Sequence, residues 1–300
     1  MVNSRKRIAS SQGALVFILF ALCCVSPGCI GPSEKFIKIM HMPLMPLSPG
    51  SSFETVTHNG SIDLLGSDVT DCNVIATITG YASTVEAAED LVERTKLNFE
   101  QTENRLVLKI NRPQNLINRS VSVSLDIILP EETNLDLQSH NGGIDIKSIT
   151  GTTNAMSHNG GIYMENITGK TRATSHNGRV FVKNISGPTK LETHNGAVDA
   201  ENISGDIDFL SHNGRVKAVF SENAEPDSNI TMVTHNGGID LTPPPDYSAR
   251  VDISTHNGSL NIGLPVTISG DVSKGHLVGT VRDGKGRMKL ETHNGSIDIR

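Results

Sequence analysis

The sequence predicts an all-β fold: a single-stranded parallel β-solenoid, or β-helix, of about nine rungs with an 18-residue period. Three observations carry this expectation. The first is a phrase repeated nine times: Ser or Thr, then His-Asn-Gly, one variable residue and an aliphatic. Between 139 and 219 its histidines, His140, His158, His176, His194 and His212, follow one another at intervals of 18. So strict a period marks one structural unit stacked on itself. The second is alternation after each phrase, as in Ile144 and Ile146, Ile162 and Met164, or Val180 and Val182, which is the two-residue period of a strand with one buried face. The third is composition: 28 glycines, 4% aromatics and no Trp suit a thin, layered interior rather than a core of bulky fillers.

Each unit divides into two strands and two tight turns. The pairs Asn59-Gly60, Asn141-Gly142, Asn159-Gly160, Asn177-Gly178, Asn195-Gly196, Asn213-Gly214, Asn236-Gly237, Asn257-Gly258 and Asn294-Gly295 are expected to turn the chain, because Asn-Gly accepts positive φ readily. A second turn follows at Ile149-Thr150-Gly151, Ile167-Thr168-Gly169, Ile185-Ser186-Gly187 and Ile203-Ser204-Gly205. Asn166, Asn184, Asn202 and Asn229, in Asn-Ile-Thr/Ser triplets, read as half-turn residues. Such a unit cannot bury its apolar face alone, but it can against an identical neighbour about 4.8 Å away. Nine rungs then give a rod roughly 40 Å long. A propeller blade would need a period of ~40 residues.

In chain order, residues 1–29 read as a lipoprotein-type signal peptide: Arg5, Lys6 and Arg7, an apolar run from Ala14 to Val25, then Ser26-Pro27-Gly28-Cys29. Gly before Cys resembles the lipobox of bacterial lipoproteins, which implies lipidation at Cys29; Leu22 before Cys23 is the poorer alternative. Cleavage there leaves Cys72 as the one thiol, so no disulfide framework is expected. Cys72 alternates with Val74 and reads as a core residue. Residues 30–50 carry four prolines and read as a tether, although Met and Leu at 40 to 47 could lie along the first rung.

Residues 51–300 form the expected solenoid. Ser83-Thr84-Val85-Glu86 reads as a capping box opening one amphipathic helix near 84–96, inferred to cover the first rung. Strands are expected from Arg105 to Ile110 and from Val121 to Ile128. Beyond the regular repeats at 139–219, the segments 222–227, 243–246 and 269–285 read as insertions bulging from turns. No carboxy-terminal cap is visible after Ile297 and Ile299, so end-to-end self-association is expected unless the 269–285 loop blocks the edge.

The layout resembles a bacterial putative-adhesin family, also known as a domain of unknown function with β-strand repeats and often found in lipoproteins. The residues that carry the resemblance are the Thr/Ser-x-Asn-Gly-x-Ile phrases, Leu129-Pro130 before the first regular rung, and the closing segment Gly284 to Ile299. It spans about residues 51–300 and implies a β-helix-like solenoid, right-handed, on the surface or in the cell envelope.

Stacked in register, the histidines should form an outward row. Rings piled on rings explain such a row; His140, His158, His176, His194 and His212 are also candidate metal ligands, since imidazoles on adjacent rungs could converge on zinc. Acid–base catalysis is disfavoured, because it needs groups in unlike environments and these positions are equivalent. The net charge of −6 gives no reason to expect nucleic acid, and no cofactor is implied. The expectation is therefore a non-enzymatic, exported envelope lipoprotein, membrane-bound through its lipid. It would present a repetitive side, with Tyr163, Phe181, Arg172, Arg179 and Arg215 nearby, to a glycan or surface protein. A metal-binding rod and a β-helix carbohydrate-active enzyme are the alternatives.

Overall fold

The computed structural model describes residues 17–18, 34–114, 116–268, 273 and 275–300. Cys29 and almost all of the expected signal peptide lie outside the described residues, as do 269–272 and 274.

Every regular rung contributes one strand to each of two long sheets that do not close on themselves. In the first sheet Ile144–Thr150, Ile162–Thr168, Val180–Ser186, Val198–Ser204 and Val216–Phe220 pair in parallel, with Ile144, Ile162, Val180, Val198 and Val216 in one column. In the second, Asn134–Ser139, Thr153–Ser157, Thr171–Ser175, Thr189–Thr193 and Ile207–Ser211 do the same, aligning Ser139, Ser157, Ser175, Thr193 and Ser211. Between the sheets lies a continuous interior of Ile, Val, Leu and Ala with Phe53 and Phe209 fully buried. Each fully buried aliphatic contributes about 1.5–3 kcal/mol, and the 18-residue period is what keeps like residues in contact.

Two corners differ from expectation. Of the nine Asn-Gly pairs only Gly60 has a positive φ; the glycines are needed for space instead. A Cβ on Gly178 would lie 2.1 Å from the carbonyl oxygen of Gly160 on the next rung, and one on Gly142 would lie 1.8 Å from that of Gly60. Positive φ sits elsewhere, at Asn166, Asn184 and Asn202 (54–56°) and at Gly151, Gly169, Gly187 and Gly205. The rung therefore has a third bend at the Asn-Ile-Thr/Ser triplet. Met164 and Ile167, three residues apart, are both buried across it. Asn229 is not part of this series: its backbone and side-chain amides donate to Asp206.

Residues 68–133 form the amino-terminal closure, so the first copy of the phrase lies directly against the second, 82 residues later. Beyond the first copy, the first sheet continues with Ser120–Pro130, then Asp71–Ala82, then Glu34–His41. The segment expected as a tether is thus, from Glu34 onward, a paired strand with Met42 and Leu47 in the core. The run Phe36, Ile37, Ile39 and Met40 suits a paired strand better than a polyproline spacer, and the four prolines, Pro32, Pro43, Pro46 and Pro49, all lie outside Glu34–His41. The helix, Val85–Arg94, is capped by Thr84 rather than Ser83, its hydroxyl accepting from the Ala87 amide at 3.2 Å. It packs Ala88, Leu91 and Val92 on Asp71–Ala82 and Glu34–His41, beyond the first rung and not on it.

At the far end the order in space is not the order in sequence. Gly286–Thr292 lies between Ile230–Thr234 and Ala249–Thr255, and Ile297–Ile299 lies between Ile239–Thr242 and Leu260–Ile262. The expected open edge at Ile297 and Ile299 is therefore interior. Part of the expected 269–285 bulge is likewise a strand: His276–Val281 runs antiparallel to Ala249–Thr255, with Val266–Ile268 beyond it. Its alternating apolar residues extend the sheet.

Candidate functional site

The repeated phrase builds one edge of the rod, and three of its first four residues are accounted for by contacts between rungs. The Ser or Thr hydroxyl points inward and donates to the carbonyl of the neighbouring rung's glycine: Ser157 to Gly142, Ser175 to Gly160, Thr193 to Gly178 and Ser211 to Gly196, each at 2.9 Å. The Asn side chains form an unbroken amide ladder through all nine copies, Nδ2 donating to Oδ1 at 2.6–2.8 Å from Asn59 to Asn257. The Gly leaves room for the carbonyl of the neighbouring rung's glycine, the one that accepts from the Ser or Thr hydroxyl. None of these contacts requires His.

The nine imidazoles are exposed and stacked face to face, in the spatial order His58, His140, His158, His176, His194, His212, His235, His293, His256. Ring centroids are 4.7–5.1 Å apart and planes differ by 3–23°. Because faces are used in stacking, each ring offers its edge, with its nitrogens, to solvent. At the amino-terminal end of the row His58 is held below the usual imidazole range, first by partial desolvation, then by the charge of Arg112 and by His140.

Beside this row runs a groove of about 1680 Å³ that spans the whole stack. One wall is the imidazole row, and the floor is the outward residue two places before each His, including Val56, Met156 and Leu210, which are 59%, 42% and 40% exposed. Lys109 and Arg112 flank it at one end and His276 at the other, where its Nε2 lies 3.0 Å from Asp252. Sequence reasoning found the row but not the groove. The signal was the alternation itself, which puts the residue before each inward Ser or Thr on the outside.

The stacked row does not suit a shared metal. Two nitrogens on one zinc, each at about 2.0–2.1 Å, lie no more than roughly 4.2 Å apart, whereas equivalent atoms here repeat at the ring spacing with parallel, non-converging lone pairs. Among the described residues no three His, Cys, Asp or Glu side chains are gathered as a ligand set.

Tyr163 and Phe181 lie on the first sheet, on the other side of the Asn-Gly corner, Arg179 and Arg215 immediately precede its strands Val180–Ser186 and Val216–Phe220, and Arg172 is on the second sheet between Asn154 and Lys190. Tyr163 and Phe181 stack at 5.4 Å, with Lys147 over the first ring and Arg179 over the second. Their faces are thus covered and offer no flat platform to a sugar. Asp199, only 2% exposed, is clamped by Arg179 and Arg215 at 2.8 Å each. A hydrogen bond to Glu165 pushes the Tyr163 hydroxyl up to about 12. Cys72 is a core residue whose thiol is pushed up to about 12 by burial.

Three solved structures are similar over most of their length at low identity. They are a putative cell adhesion protein from Clostridium sporogenes (12% identity, TM-score 0.31, 89% of this chain and 98% of that one), a putative adhesin from Bacteroides fragilis (11%, 0.34, 91% and 100%), and a putative lipid binding protein from Parabacteroides distasonis (10%, 0.29, 90% and 98%). No curated protein matches the chain. The family described as Toastrack DUF4097 matches residues 67–300, and the chain belongs to that family.

Proposed function

We propose that this chain is a non-enzymatic interaction module of the bacterial envelope: an exported rod, lipid-anchored at Cys29, that presents its groove to a surface polymer as an adhesin does. The observation that carries the reading is the groove itself, whose wall repeats the same group at every rung. Many equivalent weak contacts add through effective concentration, so a repetitive wall suits a repetitive ligand. Acid–base chemistry needs groups whose environments push them apart; like imidazoles in a row make a surface.

Retention on isolated cell-wall and capsule glycans tests the binding half. Wild-type protein should be retained, and a Met156→Asp, Leu210→Asp variant that charges the floor should be released. Absence of retention on any glycan or surface extract removes the adhesin reading. The anchoring half is separate: Cys29→Ala should move the protein from the membrane to the soluble fraction, and continued membrane association would remove the anchor.

A further inference from the structure

We infer that the groove is an acid-gated seat for a linear anionic polysaccharide, its carboxylates running along the imidazole wall. This rests on the reading of the groove as the polymer-binding face. The first argument is spatial. The stack sets one imidazole edge per rung at 4.7–5.1 Å along an unbroken line, so an extended chain lying along the rod meets a hydrogen-bonding group at each step. The floor intersperses apolar Val56, Met156 and Leu210 with polar Gln138, Thr174 and Glu192, a mixture that matches the C–H faces and hydroxyls of a pyranose chain. Among the described lining residues there is no Phe, Tyr or Trp, so bases of a single-stranded nucleic acid would find no stacking platform.

The second argument concerns charge. Four carboxylates face the row: Glu54, Asp136, Glu192 and Glu291. Glu54 is paired with Arg105, and Glu291 with Lys289. The cations at the amino end are Lys109, paired with Glu100, and Arg112. His276 at the other end lies against Asp252. With these pairs cancelled, Asp136, Glu192 and Asp252 outnumber Arg112, so while the imidazoles are neutral the groove is slightly negative and does not favour a polyanion. Imidazole is the side chain whose ordinary titration falls between about pH 5 and 8. Acidification therefore adds up to one positive charge per rung to a single wall and makes it complementary to a polyanion. An anionic chain laid between those charges also relieves their mutual repulsion, so proton and polymer each promote the other's binding.

Calorimetric titration of the full chain with an oligogalacturonate of roughly eight units, one per step of the stack, tests this. Its carboxylates are ionised at both about pH 7.5 and about pH 5.5. Affinity should be about tenfold or more higher at the lower pH, with net proton uptake and loss at high salt. Replacing three adjacent rings, His158→Gln, His176→Gln and His194→Gln, should remove most of that gain. Glu192→Gln, which leaves the stack intact, should raise affinity at the higher pH. Equal affinity at both pH values overturns the inference, as does equal binding of a neutral malto-oligosaccharide or tighter binding of oligodeoxythymidine; each of these leaves the interaction-module reading standing. No binding of any polymer at either pH removes both.

Discussion

Two corners of the same rung carry asparagine ladders, and they are built differently. At the His-Asn-Gly corner the ladder runs through all nine copies, with ordinary backbone geometry at Asn. At the Asn-Ile-Thr/Ser bend it links only Asn166, Asn184 and Asn202, and each of these sits at positive φ. The second corner uses Asn for its own backbone as well as for its neighbour; the first uses Asn only for its neighbour. The bend is thus a local solution: its ladder stops at Asn166 because the next rung has Ser148, which keeps the bend at φ 59°, and it is not carried past Asn202 toward the 221–229 loop. The His corner is a property of the whole stack, kept even where the intervening chain is 82 residues long.

The largest effect expected from this contrast is steric. Gly178→Ala forces a Cβ to within 2.1 Å of the Gly160 oxygen, where neither backbone can move without breaking two ladders. It should cost about 3 kcal/mol or more, read as a fall in the urea midpoint. A midpoint within error of wild type would mean that the rungs are not stacked as described.

Next come the two asparagines. Asn177→Ala and Asn184→Ala each remove two exposed ladder bonds, at about 1 kcal/mol. The second also places Ala at φ 55°, adding about 1–2 kcal/mol. Asn184→Gly should recover that added part, and Asn177→Gly should recover nothing. Equal rescue at both sites would erase the distinction between the corners.

Smallest is the response to pH. His58 is held below its unfolded value, so the unfolded chain binds more protons than the native one between the two. Stability from this group is complete above about pH 6.5 and declines as pH falls from there toward the lowered native value. Thermal melts between pH 7.5 and 5 should show the decline, and His58→Gln should reduce it. The Arg105 partner lowers Glu54 in the native state, so its contribution holds above the ordinary carboxylate range and is lost only on further acidification. That leaves the histidine window clear.

Much of the stacking was legible because Ile144, Ile162 and Val180 announce their shared column by spacing alone. The reason for Gly160 was not, because Asn-Gly usually signals a backbone angle, whereas here the constraint comes from the carbonyl of a different rung. The position of the copy at His293 was equally hidden. Nine nearly identical phrases are interchangeable neighbours, and nothing local says that this one lies between the copies at His235 and His256. The groove escaped because its floor residues, Val56, Gln138 and Met156, share an orientation but not a chemistry. The strand at 34–41 was masked by the prolines that follow it.

That interleaving has a consequence for biogenesis. Among the described residues the strands flanking the coil at 255–262 reach the earlier rungs through 286–299, so the coil must wait for that later segment to arrive as a keystone. Growth of the rod can follow synthesis up to residue 242, but its last two layers close together.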